Sequence, residues 1–178
     1  VAALASGRRL AGIRLHSDTS GVTISSGRPR GPGVVITVAA GYVTPSLLGL
    51  GAAALLAGGH VSLMLRLSVV LLLAMLLAIR NGFGALSVII SMAVVLAVSF
   101  EAPGRAQDAF ALFIAWFLLF GGFRPIMELQ RGRRGQRVHQ SDPDQLARLT
   151  ALPAMTWIVL FALVSVGCIV LGGSWLIG

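Results

Sequence analysis

Long, uninterrupted apolar runs constrain this chain more than any other feature. They cover residues 34–57, 61–79, 83–100, 108–123 and 153–177. Each is close to or above the roughly 18 residues that a helix needs to cross a hydrocarbon core of about 30 Å. Within lipid no water can pair with a bare amide, so each run must satisfy its own backbone as a helix. The composition agrees: 56% of the 178 residues are hydrophobic and only 11% are charged, too few to coat a soluble domain. The expected fold is an all-α membrane protein, a polytopic bundle of about five transmembrane helices.

The segment before the first run is different in kind. Residues 1–5 are apolar, and Gly7 with Arg8 and Arg9 follows, which is the pattern of a helix C-terminus. Five residues cannot nucleate a helix, so the chain is expected to open inside an element that starts upstream. Residues 10–26 alternate weakly around Asp18-Thr19-Ser20-Gly21 and predict a small β-hairpin outside the membrane core. A breaker-rich connector, residues 27–33, leads into the first span. The expected organisation is thus 1–33 as helix end, hairpin and linker, and 34–178 as the transmembrane domain.

The net charge of +8 would suggest a nucleic-acid partner in a soluble protein, but here the basic residues lie between apolar spans. All fourteen are arginine. Five fall in residues 1–33, one is Arg80, and six lie in residues 124–149. With five spans these three regions share one side of the membrane, and the other side receives only Arg105, beside Glu101 and Asp108. Short arginine-rich loops stay in the cytoplasm. The hairpin and the 124–149 segment are therefore expected to face the cytoplasm together, with the bilayer and no nucleic acid as partner. Arg66, inside the second span, is near enough to the His60 end for its head to snorkel to the interface.

Spacing inside the spans gives two further expectations. Gly41, Pro45 and Gly49 recur every fourth residue and predict a face that a neighbouring helix can approach closely. Arg124-Pro125 predicts a kink or end to the fourth span, and residues 101–107 ahead of that span read as a short polar loop.

Acid–base chemistry is scarce. The chain has six acidic residues, three histidines and one cysteine, Cys168, and contains no HExxH, CxxC, GxSxG or phosphate-binding glycine loop. The most pointed segment is SDPDQLARL, residues 141–149. Asp142 reads as an N-cap, Pro143 as the first helical residue and Gln145 as the closing member of a capping box. Asp144 would favour the positive end of the helix dipole. The other reading is that Asp142 or Asp144 ligates a metal whose remaining ligands come from elsewhere. His139 lies in the basic loop, His16 in the hairpin segment and His60 on the opposite side, and Glu128 is most simply paired with a nearby arginine.

The order of three segments, ALASGRRLAGIRLHSDTSGVT, then AAGYVTPSLLG (residues 39–49), then SDPDQLARLTALP, resembles the site-2-protease-like membrane zinc metallopeptidases. The likeness is to a short bacterial branch without a PDZ domain and covers nearly the whole chain. In that family an HExxH helix leads into a glycine-rich turn and a cytoplasmic hairpin. A helix containing AGY follows, and a downstream aspartate supplies the third zinc ligand. The resemblance implies intramembrane peptide-bond hydrolysis, zinc as cofactor and a membrane protein as substrate. It places the two histidines and the general-base glutamate before Val1, and carries the aspartate onto Asp142, with Asp144 as the alternative. The sequence also admits an inactive membrane scaffold of the same fold, or a small transporter subunit.

Overall fold

The computed structural model describes residues 9–15, 21–26, 32–134 and 142–178, with side chains for 33–129 and 142–178. The helices are α1 (Pro32–Ala57), α2 (Val61–Ala78), α3 (Gly82–Glu101), α4 (Gly104–Gly121), α5 (Arg124–Arg134), α6 (Asp142–Leu149) and α7 (Ala154–Ile177). Among the described residues five stretches are long and apolar enough to cross a membrane: Gly33–Ala57, Val61–Ala78, Gly82–Glu101, Gly104–Leu129 and Ala154–Ile177. The perimeter of the bundle suits that solvent, since Leu77, Phe100, Leu163 and Val170 all project outward. The chain is a multi-pass membrane protein.

Ahead of the helices, β1 (Arg9–Leu15) and β2 (Gly21–Ser26) pair antiparallel, with a register shift between Leu10 and Gly12. The turn expected around Asp18 lies largely in residues 16–20, outside the described residues, as do the expected helix end at 1–5 and most of the linker. The helices alone define the fold.

The polar stretch at 101–107 is mostly helical rather than a loop. Helix α3 runs to Glu101 and α4 starts at Gly104. The reason is capping: the Pro103 carbonyl accepts from the amides of Ala106 and Gln107. The Gln107 side chain in turn donates to the carbonyls of Ser99 (3.2 Å) and Ala102 (3.1 Å), which would otherwise end α3 unpaired. Between α1 and α2 the chain reverses through Gly59, whose φ of +74° suits glycine and strains other residues.

Helix α1 is the centre of the bundle and packs chiefly on α7 and α4, whereas α2 and α3 pair mainly with each other. Small residues set the distance between α1 and α4. A Cβ at Gly49 would lie 2.5 Å from the Leu119 amide nitrogen, and one at Gly122 would run into the Ser46 hydroxyl. Against α7, the buried Ser46 hydroxyl donates to that of Ser165 at 3.2 Å. A Cβ at Gly172 would meet Leu119 Cδ1 at 3.1 Å. The contact face of α1 is therefore Ser46, Gly49 and Ala53. Gly41, expected on that face, is exposed and has nothing within 4 Å of where its Cβ would be. Pro45 is accommodated within α1.

Two apolar clusters flank this belt. One joins Ala52, Met64, Leu65, Val95, Ala111 and Ala115 from α1 to α4. The other joins Ile126, Leu146, Ile158 and Phe161 from α5, α6 and α7, with Val38, Tyr42 and Val43 of α1 against them. Arg66 is exposed, near the start of α2, and points away from the core.

A branched side chain at Gly49 must push α1 off α4. Gly49→Val is expected to cost about 1–3 kcal/mol by overpacking, and Gly41→Val to stay within about 0.5 kcal/mol. Unfolding of the two variants in mixed micelles checks this.

Candidate metal-ligand site

Helix α6 is short and is held by burial of one face. Pro143 and Leu146 are fully buried, and Leu146 packs in the cluster with Ile126, Ile158 and Phe161. A second anchor follows at its end, where Trp157 Nε1 donates to Thr150 Oγ1 at 3.2 Å and that hydroxyl donates to the Leu146 carbonyl at 2.7 Å. Residue 150 meets 157, and residue 146 meets 158 and 161, so α6 folds back along the first two turns of α7.

That return carries Asp142 to α1. Tyr42 Oη donates to Asp142 Oδ2 at 2.9 Å, across 100 residues of chain. The Tyr42 ring is stacked on Phe161 of α7, with centroids 4.9 Å apart and planes 4° from parallel, and Trp157 leans on Phe161 at 5.8 Å. Tyr42 lies nine residues past Gly33, where its span begins, about 14 Å along the axis at the helical rise. Phe161 lies seven residues past Ala154, about 10 Å by the same measure. Asp142 thus stands beside α1 and α7, two to three turns in from their first residues.

The expected capping box is also changed in part. Helix α6 begins at Asp142 itself, so Asp142 belongs to its first turn, and its carboxylate bonds a distant tyrosine. Asp144 is half-buried, two positions further on. Side chains two apart on a helix do not face each other, so the two carboxylates do not converge on one point from α6. Asp142, Gln145 and Arg148, three residues apart, are all exposed and form a polar face on α6.

Among the described residues no histidine joins this site. His60 lies before α2, at the other end of the bundle, while His16 and His139 are outside the described residues. Glu128 pairs with Arg124 at 3.0 Å, both exposed, an i,i+4 contact of small energetic weight. Among the described residues no three His, Cys, Asp or Glu side chains group as a metal set. Cys168 is buried in α7.

Tyr42 is the residue that sequence reasoning passed over. It is the only tyrosine in the chain and stands in the AGY motif, yet nothing in the spacing tied it to residue 142.

The model of the peptidase M50B-like family matches residues 1–172. The chain belongs to this site-2-protease-like family. The Tyr42–Asp142 bond joins the AGY segment to the SDPD segment within the matched range. No curated protein and no solved structure matches the chain.

If burial of Leu146 holds α6 against α7, Leu146→Ala costs about 2–5 kcal/mol. Amide exchange over residues 142–149 should then quicken, with little change over 161–177.

Proposed function

We propose that the intact protein is an intramembrane zinc endopeptidase and that Asp142 is the zinc ligand contributed by this part of the chain. The observation that carries the reading is the bond between Tyr42 and Asp142, which holds a carboxylate against α1 beside the AGY motif. A carboxylate has about four acceptor positions, so one bond to Tyr42 leaves capacity for a cation. Asp142 therefore fits zinc as one ligand of a set, in which the family's HExxH motif would supply two histidines. Asp144, turned roughly half-way round α6, is the second choice.

Bound zinc would lower the pKa of a water molecule and polarise a peptide carbonyl. The chain's own contribution is to hold the third ligand and shape its surroundings. Pro143 and Leu146 hold α6 against α7, the Tyr42–Phe161 stack fixes the tyrosine, and Asp142, Gln145 and Arg148 form a polar face that a catalytic helix or a water-filled cleft would cover. In this reading the arginine-rich segments lie in the cytoplasm. The substrate is a membrane protein whose helix unwinds near the site, and the β1–β2 edge receives it by strand addition.

The full-length protein is expected to purify with one zinc per chain, measured by atomic emission. Asp142→Ala should lose that zinc and Asp144→Ala should keep it. Full retention in Asp142→Ala with loss in Asp144→Ala would move the ligand to Asp144. Retention in both would contradict the reading.

A further inference from the structure

Nothing in the ligand assignment requires a tyrosine beside Asp142. A carboxylate can bind a cation through either oxygen, and at the first turn of a short helix it can also rotate toward the backbone amides there. The structure removes that freedom. Tyr42 Oη donates to one particular oxygen, Oδ2, at 2.9 Å, while its ring lies flat on Phe161, 4.9 Å away and 4° from parallel. Phe161 is itself almost fully buried and braced by Trp157. The hydroxyl is thus delivered by a ring that α1 and α7 hold between them, in the same cluster that buries Leu146 of α6. Three separate helices fix one donor–acceptor pair.

We propose that Tyr42 is a positioning residue for the metal site: its hydroxyl engages Oδ2 of Asp142, fixes the carboxylate's rotation and presents Oδ1 to the cation. The assignment rests on Asp142 being the zinc ligand. Its physical basis is general, because outer hydrogen bonds to ligating carboxylates set their orientation, and removing such a partner weakens metal binding by about 10–100-fold. Phenylalanine at this position keeps the ring stacked on Phe161 and deletes the donor. Leucine deletes both, which separates the hydroxyl's part from that of packing.

The test uses the full-length protein in detergent, stripped of metal and titrated with zinc against a chromophoric chelator, and with cobalt(II) for its visible spectrum. Tyr42→Phe is expected to weaken zinc by about 10-fold or more and to alter the cobalt bands, while thermal unfolding of the metal-free protein stays close to that of the parent. Tyr42→Leu is expected to weaken zinc as well and also to lower metal-free stability. Unchanged zinc affinity and cobalt bands in Tyr42→Phe would overturn the proposal. So would a loss of affinity that merely followed a loss of metal-free stability. Asp142→Ala, titrated alongside, separates the two layers. If it abolishes zinc binding while Tyr42→Phe changes nothing, the ligand assignment stands and the positioning role falls; if it binds zinc normally, the ligand assignment itself has failed.

Discussion

The arrangement depends on how closely α1 approaches α4 and α7. Lipid offers helices no hydrophobic reason to associate, so their contact rests on fitted surfaces and on polar groups that find one another. Here both devices act on one stripe. Gly49 and Gly122 let backbones pass where a single Cβ would collide, and the Ser46 and Ser165 hydroxyls satisfy each other in the gap. Because α1 is fixed to α7 at that belt, the Tyr42 and Phe161 rings a turn or so away meet face to face. Because they meet, a hydroxyl stands ready where α6 returns into the bundle. The close contact of small residues and the placement of one carboxylate are parts of the same construction.

The two ends of the bundle are built differently. Around Ala52, Leu65 and Ala111 the packing is apolar and joins α1 to α4. Around Leu146 and Phe161 it is also apolar at its centre, yet it supports a polar face, with Asp142, Gln145 and Arg148 exposed on α6. The α6 end is where the AGY and SDPD segments of this peptidase M50B-like chain meet.

Much of this was legible in the sequence, because it follows from one-dimensional physics. Apolar run length gave five spans, and Arg124-Pro125 marked the point where α4 gives way to α5. The order of the AGY and SDPD segments gave the family. What could not be read were relations between distant residues. The stripe through Gly41 and Gly49 pointed to a small-residue face, but which rows meet a neighbour depends on where that neighbour is, and the contact keeps Gly49 while running through Ser46 and Ala53 rather than Gly41. Asp142 looked like a cap because capping is local and legible, whereas its bond to Tyr42 is visible only once α6 has folded back along α7. The 101–107 segment read as a loop because its residues are polar, and their use as caps needs the helices in place.

The central claim is that α6 re-enters the bundle and brings residue 142 to residue 42. Thiol cross-linking in native membranes tests it most directly. A Tyr42→Cys/Asp142→Cys variant of the full-length protein, in a Cys168→Ala background, would be treated with a short bifunctional thiol reagent and cut at a protease site engineered between residues 135 and 141. The account predicts that the two halves stay joined, and that a Leu48→Cys/Asp142→Cys control, further along α1 and facing outward, separates. Separation of both, or equal joining of both, would contradict it.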